Sequence, residues 1–327
     1  MRKINWGVLG TAGIAWGCTI PGMALADNCA LYAVAGRSPE KAERYREAFG
    51  FERAYDSYEK LLADPAVEAV YIPLPNSLHC QWVVEAARAG KHILCEKPLA
   101  VSAAQAEEMF RAAEENGVIL MEAFACLHSP LLDALKAELE SGVIGDVCYM
   151  ENAFLTSDYE LSNIRMRRET YGGSAYDLGC YCTSQILWLL GEPDRIEATA
   201  DFTEQNIDRF TTGYFRYKNG CLAHFTCGMV LPTEKSCRLD RLQIQGTKGL
   251  LRSDAEFNQA GELHYEIITG NTRTVKTVSV RQNYSLEIEQ MGRCIDEGAA
   301  PRVSKAFSLM NARALDGVLK AIGYNER

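Results

Sequence analysis

Residues 4–15, INWGVLGTAGIA, carry the first indication of the fold class. Ile4 to Leu9 is an apolar run typical of a buried strand, and the glycine loop Gly10 to Ala15 follows it directly. A glycine loop between a strand and a helix is the setting of the dinucleotide-binding pattern G-x-G-x-x-G/A. The loop fits that pattern at its first and last positions, but Ala12 occupies the second glycine position. Alone, it is equally compatible with a tight turn.

The following residues favour dinucleotide binding because they continue a strand–helix alternation over roughly the first 120 positions. Strands are predicted at 30–35, 69–72, 93–95 and 119–122. Ser38-Pro39 and Ser102 are typical helix starts, with serine as the N-cap. We therefore predict an N-terminal Rossmann domain, residues 1–124, with a doubly wound parallel sheet.

The second half of the chain has a different pattern. A strand near 147–154 is followed by β-rich, alternating sequence from 195 to 279, and two helices close the chain. Lys218-Asn219-Gly220 and Gly270-Asn271 are typical hairpin turns. The fold class is thus α/β, with a C-terminal α+β domain, residues 125–327, built on a large, mostly antiparallel open sheet. Packing of the last helix back on the first domain is an alternative to its packing within the second.

Bulk properties exclude several classes of partner. The 327 residues exceed one ordinary core, and the formal charge of −9 argues against nucleic acid or an anionic membrane as partner. No apolar run approaches the roughly 20 residues that span a bilayer. The twelve cysteines are scattered without zinc spacing, so no metal is expected. The N-terminus runs straight into a strand, and we expect a cytoplasmic protein.

The end of the second strand, Ala35-Gly36-Arg37-Ser38, indicates the cofactor. NAD-specific enzymes usually place an acid there to hold the ribose 2′-hydroxyl. No acid is present, and Arg37 could instead pair with a 2′-phosphate. NADP(H) is therefore predicted in preference to NAD(H), the alternative being that Arg37 is a solvated surface residue.

A second chemical signal is the stretch HILCEKPL, residues 92–99, where a short apolar strand ends in Glu96, Lys97 and Pro98. Strand ends of open α/β sheets bind ligands, and the proline fixes the turn that carries Lys97. Farther along, Asp177 and Tyr181 are four apart and share one face if their segment is helical. A lysine, a tyrosine and an aspartate in one cleft would form a proton relay for carbonyl/alcohol chemistry.

These residues together resemble the glucose–fructose oxidoreductase/inositol dehydrogenase (Gfo/Idh/MocA) family, most of all its dimeric dihydrodiol dehydrogenase and NADP-dependent D-xylose dehydrogenase branch. The resemblance is carried by Gly10 to Ala15, 57–62, Tyr71 to His79, Gly90 to Leu99, 121–124, 144–146 and Gly172 to Tyr181. It implies Lys97, Asp177 and Tyr181 as the catalytic residues. The cofactor-binding residues expected from the motifs and the resemblance are Gly10, Thr11, Ala12, Gly13, Ile14, Arg37, Leu74, Pro75, Asn76, His79, Glu96, Lys97 and Arg165. Without the resemblance, Ser77 would be only an N-cap and His79 only a first-turn residue.

The substrate pocket is expected between the domains, with Phe124, His128 and Tyr181 in its lining. One departure from close relatives falls at Ala125 to Pro130, where a usual methionine, aromatic and arginine are replaced. Arg165 could supply part of the missing positive charge. The substrates of the named branch are therefore not carried over.

The main functional hypothesis is an NADP(H)-dependent oxidoreductase acting on a sugar, a polyol or a related cyclic diol. Tyr181 is assigned as general acid/base, Lys97 as its electrostatic partner and Asp177 as the orienting group, with Lys97 as the alternative proton donor. Two other classes stay open: a non-catalytic NADP-binding regulator, and a lyase or hydrolase that uses a retained cofactor for transient oxidation. The resemblance also implies a homodimer or homotetramer formed through the C-terminal sheet.

Overall fold

The structure is a computed structural model that describes residues 2–232 and 237–326. Its contacts divide the chain into two compact units, residues 1–128 with 281–309, and residues 129–280 with 310–327. The sequence pattern predicts a single boundary after residue 124, whereas residues 281–309 belong to the first unit by their contacts.

Helix α8, Asn283–Glu297, explains this difference, because it packs against α1, Ile20–Leu25, and against a 3₁₀ turn at Ala125–His128. The contact with α1 is tight: a Cβ added to Gly22 would lie 2.6 Å from the Cβ of Tyr284. This helix is part of the first core although it is distant in sequence.

The first unit is built on a six-stranded sheet in which every strand pair is parallel. The strands are β1 Ile4–Leu9, β2 Cys29–Ala35, β3 Arg53–Tyr55, β4 Ala69–Ile72, β5 His92–Glu96 and β6 Leu120–Ala123. Their order, β3-β2-β1-β4-β5-β6, reverses direction at β1 and β4. In such sheets ligands bind beyond the carboxyl ends of the strands at this switch point.

Helices α2 Pro39–Phe49, α3 Tyr58–Ala63, α4 Asn76–Arg88 and α5 Ala103–Glu115 complete the alternation. Ser38 and Ser102 accept hydrogen bonds from the third residue of their helices, which confirms both predicted N-caps. The reading of Ser77 as an N-cap is wrong. Helix α4 already begins at Asn76, with Pro75 before it.

The second unit contains an eight-stranded sheet in the order β14-β13-β12-β11-β7-β10-β9-β8. Its strands are β7 Val147–Ser157, β8 Arg195–Phe202, β9 Asp208–Arg216, β10 Leu222–Leu231, β11 Arg238–Gly246, β12 Leu250–Ser253, β13 Gly261–Thr269 and β14 Thr272–Val280. The β7–β10 pair is parallel and the other neighbours are antiparallel. The predicted fold class is confirmed for both sheets.

The helices assigned to this unit are α6 Pro130–Glu140 and α7 Cys180–Leu190, and α9 Lys305–Ala321 crosses the division between the units. A π-helical turn, Ala175–Gly179, leads directly into α7. Within 2–232 and 237–326, no helix has the length and apolar character needed to cross a membrane.

Candidate active site

The glycine loop after β1 is fixed on its inner side and open on its outer side. Gly10 has φ = +130° and its N–H donates to the carbonyl of Ala35 over 2.9 Å, which joins the ends of β1 and β2. A Cβ added to Gly10 would lie 3.0 Å from a methyl of Leu74, whereas one added to the exposed Gly13 would meet nothing within 4 Å. The loop therefore leaves room for a ligand beside Gly13 while the half-buried residues Thr11, Ala12 and Ile14 hold its course.

Arg37 is exposed where β2 ends. It forms a side-chain hydrogen bond with Tyr58 at the start of α3, and burial raises the pKa of that tyrosine. The neighbouring Gly36 approaches the glycine loop closely, since an added Cβ would lie 3.1 Å from the Thr11 methyl. A cation held at the end of β2 beside an open loop at the end of β1 fits a nucleotide that carries a 2′-phosphate.

His79 on α4 holds two loops at the same edge of the sheet. It is fully buried, with Nδ1 3.0 Å from the carbonyl oxygen of Pro98 and Nε2 2.8 Å from that of Leu74. Burial lowers the pKa of His79, although these carbonyl groups oppose the shift. The buried ring between these two carbonyl groups positions the loops that carry them, and a contact of His79 with the cofactor stays a prediction. Pro75 and Asn76, the other residues predicted in this loop, are partly exposed.

The turn that carries Lys97 is tied down on both sides. The Lys97 N–H donates to Glu96 Oε2 at 3.2 Å, and the Leu99 N–H donates to Glu122 Oε1 at 2.8 Å. The intervening Lys97–Pro98 peptide is cis. Lys97 is partly exposed, whereas Glu96 and Glu122 are buried. The main chain around Lys97 is thus fixed while its side chain keeps access to the surface.

Glu96 belongs to a buried chain of hydrogen bonds. Thr19 donates to the Tyr71 hydroxyl at 2.9 Å, and that hydroxyl donates to Glu96 Oε1 at 2.5 Å. Burial raises the pKa of Tyr71 well above its usual value. Thr19 lies in a π-helical turn, Ala15–Thr19, that follows the glycine loop. These hydrogen bonds therefore link the segment that follows the β1 loop to the turn that follows β5.

Glu122 is a residue whose role in the Lys97 turn sequence reasoning missed. It lies in β6, is 2% exposed, and burial raises its pKa to about 7. A carboxylate in an otherwise apolar strand, 120–123, was the available signal, because a buried acid needs a specific hydrogen-bond partner. Its partner, the N–H of Leu99, could not be identified from sequence spacing.

Two residues predicted in the substrate pocket, Phe124 and His128, are buried. The Nδ1 atom of His128 lies 3.1 Å from the Phe124 carbonyl oxygen and 3.9 Å from Glu287 Oε1 on α8. Burial lowers the pKa of His128 to about 3, so the ring is neutral. These surroundings argue for a packing role of His128, and its contact with a substrate stays a prediction.

In the second unit, Asp177 and Arg165 form an ion pair in which Arg165 Nε donates to Asp177 Oδ2 at 2.6 Å. The Arg165 guanidinium also lies 5.0 Å from the centroid of the Tyr159 ring. Asp177 is the main cause that raises the pKa of Arg165, and Tyr181 also contributes. The structure thus brings Arg165, Asp177 and Tyr181 together, whereas a cofactor contact of Arg165 is untested.

Tyr181 lies at the second position of α7, just after the π-helical turn that contains Asp177. Its ring packs against Phe154 at a centroid distance of 5.4 Å and against Phe257 at 6.3 Å, and it is partly exposed. The segment is helical, as predicted, but the wider π turn changes the angle between the two side chains from that of an α-helix. Such single π turns are frequent at functional sites.

All twelve cysteines are free thiols. Among the described residues, no group of three histidine, cysteine, aspartate or glutamate side chains has a metal-binding arrangement.

Comparison with known proteins places this geometry in a family. Residues 4–124 match the family model of an oxidoreductase family with an NAD-binding Rossmann fold, and residues 132–252 match the GFO/IDH/MocA C-terminal domain. D-xylose 1-dehydrogenase (NADP(+)) 2 of Haloferax volcanii is 35% identical over 97% of this chain and 96% of its own. Mouse trans-1,2-dihydrobenzene-1,2-diol dehydrogenase is 29% identical over 98% and 97%.

A solved structure agrees closely with the whole chain. The crystal structure of KijD10, a 3-ketoreductase from Actinomadura kijaniata in complex with NADP and TDP-benzene, has a TM-score of 0.91 at 28% identity and covers 98% of both chains. These relatives are named dehydrogenases and reductases, which confirms the prediction of an NAD(P)-dependent oxidoreductase. The chain belongs to the Gfo/Idh/MocA oxidoreductase family.

Proposed function

We propose that this protein is an NADP(H)-dependent oxidoreductase that acts on a sugar, a polyol or a related cyclic diol or carbonyl compound. The observation that carries the proposal lies in the first unit. The open glycine loop after β1, Arg37 after β2 and Lys97 after β5 all lie at the carboxyl ends of one parallel sheet. A cofactor-binding surface and a titratable group therefore share one edge.

When bound, NADP(H) supplies or accepts the hydride, and the chain itself must handle the proton at the substrate oxygen. A free tyrosine has a pKa of about 10 and is a poor base near neutral pH. A nearby ammonium group such as that of Lys97 would favour the phenolate, so Tyr181 is proposed as the general acid/base. Asp177, which is ion-paired with Arg165, is proposed to orient the groups that transfer the proton. Lys97 is the alternative proton donor.

Substrate screening tests the reaction directly. Aldoses, polyols, ketoses and dicarbonyl compounds are offered with NADP⁺ or NADPH, and the absorbance of NADPH is followed. A dehydrogenase or reductase changes the amount of NADPH in proportion to the substrate consumed. A regulator, or a lyase or hydrolase with a retained cofactor, produces no net change, and that result across the screen would overturn the proposal.

Cofactor preference is tested at Arg37. Replacing Arg37 with alanine should weaken NADP binding by about 1.5–3 kcal/mol, the scale of a charged hydrogen bond, with little effect on NAD. Arg88→Ala is the matched control, because Arg88 is paired with Glu85 at the far end of α4. Equal losses for both cofactors, or tighter binding of NAD by the wild type, contradict the role of Arg37.

We also propose a homodimer or homotetramer formed through the open face of the C-terminal sheet. Strand β10 buries Ala223, Phe225 and Cys227 and leaves Leu222, His224 and Thr226 partly exposed, so one mixed face is available for a second copy. Tyr214 on the neighbouring strand is 40% exposed. Light scattering that gives a monomer at micromolar concentration would contradict this assembly.

A cytoplasmic location is part of the same proposal. Twelve free thiols in one chain suit a reducing compartment, where disulfides are rare. Recovery of the native protein in a secreted or membrane fraction would contradict it.

A further inference from the structure

Asp208, the first residue of β9, is completely buried and binds the segment that precedes Asp177. Its Oδ2 atom accepts three hydrogen bonds: from the Ser174 hydroxyl at 2.8 Å, the Ala175 N–H at 2.7 Å and the Thr211 hydroxyl at 2.9 Å. A fixed carboxylate with three donors leaves this segment little freedom.

Ala175 is the first residue of the π-helical turn that continues into α7. The first N–H groups of a helical segment have no partner inside it, and a negative charge is favourable at that end. The Ser174 side chain does not cap the turn. Asp208 supplies the missing acceptor from a strand 33 residues away.

Two glycines connect Asp208 to the Arg165 segment. Gly173 has φ = +116°, and a Cβ added to it would lie 1.9 Å from Asp208 Oδ1. Its N–H donates to the Arg165 carbonyl at 2.9 Å, and a Cβ added to Gly172 would lie 2.4 Å from the same oxygen. No other residue type fits between these groups without moving them, so the spacing of Asp208 and Arg165 is fixed.

These hydrogen bonds connect Asp208 to Asp177 by two routes, one through the main chain and one through Arg165. Asp208 holds Ser174 and Ala175, Gly173 holds the Arg165 main chain, and the Arg165 side chain returns to Asp177. Without the carboxylate, the Ala175 N–H loses its acceptor and the π turn is free to relax towards an ordinary helical turn. That change would rotate Asp177 relative to Arg165 and move Tyr181 with it.

We propose that Asp208 is a positioning residue that sets the geometry of Arg165, Asp177 and Tyr181; this inference rests on the proposed function of that group. Burying a carboxylate is costly unless hydrogen bonds compensate for the lost solvation, and Asp208 has three such donors. Burial raises the pKa of Asp208 to about 6, in keeping with that penalty. We explain the presence of this buried carboxylate by the arrangement that it imposes on the neighbouring segment, which carries Asp177 and Tyr181.

The ionisation of Tyr181 gives a test that needs no substrate. Tyrosine labelled with ¹³C at Cζ is titrated by NMR, and the Tyr181 signal is assigned by its loss in Tyr181→Phe. Arg165 and Arg238 interact electrostatically with this phenol, and Asp177 is ion-paired with Arg165, so displacement of Arg165 and Asp177 should move the titration of Tyr181. Asp208→Ala should shift the Tyr181 midpoint by about 0.5 pH unit or more.

Glu138→Ala is the matched control. Glu138 accepts a hydrogen bond from Tyr265 at 2.8 Å in the same unit and belongs to α6, outside 163–181. It should leave the Tyr181 midpoint unchanged, although it also removes a bonded carboxylate. If Asp208→Ala does not fold, Asp208→Asn and Ser174→Ala, which keep the packing or remove one donor, are titrated in the same way.

An unchanged Tyr181 midpoint in every Asp208 and Ser174 variant that folds, or an equal shift in Glu138→Ala, overturns the positioning role. The proposed function fails separately, when Tyr181→Phe keeps wild-type turnover of the substrate that the screen identifies.

Discussion

The Lys97 turn and the Asp177–Tyr181 segment are both held by a buried carboxylate, but they differ in the secondary structure that carries them. In each, a buried carboxylate on a strand accepts a backbone N–H close to a side chain that is proposed to react: Glu122 from Leu99 at 2.8 Å, and Asp208 from Ala175 at 2.7 Å. The Lys97 turn directly continues β5, whereas Asp177 and Tyr181 are carried by a π turn and a helix. Both positions depend on a hydrogen bond between segments distant in sequence, 23 residues apart for Glu122 and Leu99 and 33 residues apart for Asp208 and Ala175.

The two regions also differ in their charges. Around Lys97 the buried neighbours are acids, with Glu96 and Glu122 on either side of the turn. Around Asp177 the partner is a cation, Arg165. The side chains proposed to react thus lie beside groups of opposite charge type, acids near Lys97 and an arginine near Asp177.

The largest expected effect comes from removing the groups that are proposed to transfer the proton. Tyr181→Phe and Lys97→Met should each lower turnover by about 10²–10⁴-fold, the usual contribution of general acid/base groups, while NADP affinity changes little for Tyr181→Phe. If the two act in one relay, the double variant should be little worse than either single one. Steady-state turnover of the three variants decides this, and near wild-type turnover of Tyr181→Phe would make Lys97 the leading proton donor.

The next effect is on stability, and it distinguishes the buried acid Glu122 from an exposed acid such as Glu114. Burial raises the pKa of Glu122 from 4.5 to about 7, so the folded state holds a proton that the unfolded state releases. This stabilisation is complete below pH 4.5 and is lost as the pH rises through about 7. Glu122→Gln should remove it, flattening the pH dependence by up to about 3 kcal/mol.

Urea unfolding of the wild type and Glu122→Gln at a series of pH values measures this difference. Glu114→Gln is the control, because Glu114 is exposed and paired with Lys305 at the surface. Equal slopes for the wild type and Glu122→Gln would show that Glu122 is ionised in the folded protein near neutral pH.

Local patterns in the sequence predicted features in both units. The N-caps at Ser38 and Ser102, the strand before Lys97 and the turn at Gly220 each depend on neighbours within a few residues. Parallel strand order followed from the alternation of strands and helices. These features are encoded locally, so a single sequence suffices to find them.

Contacts between segments distant in sequence could not be predicted from such local patterns. The Asp208–Ala175 and Glu122–Leu99 hydrogen bonds join strands to distant segments, and no spacing rule relates them. The π turns at 15–19 and 175–179 carry no known sequence signature and were predicted as ordinary helix. His128 is buried against α8 because residues 281–309 return to the first unit, which periodicity alone does not indicate.

A smaller effect on turnover should separate the acceptor role of Glu122 from its charge. Glu122→Ala removes the acceptor of the Leu99 N–H and should lower turnover by about 10–10²-fold, since a displacement near 1 Å has that scale. Glu122→Gln keeps an oxygen at the same place and should retain most activity. If glutamine is as damaging as alanine, the charge of Glu122 matters and the Lys97 turn is not held by the hydrogen bond alone.

The smallest expected effect is that of Asp177→Asn, the counterpart of Glu122→Gln in the second region. Asparagine keeps an oxygen that can accept from Arg165 Nε, now 2.6 Å from the carboxylate, but the ion pair is lost. A neutral hydrogen bond is weaker than a charged one by about 1 kcal/mol, so turnover should fall by roughly 10-fold or less. If Asp177 only orients its neighbours, this loss stays well below that of Tyr181→Phe. A loss as large as that of Tyr181→Phe would mean that the negative charge of Asp177 takes part in the proton transfer, and the two regions would then differ in chemistry as well as in structure.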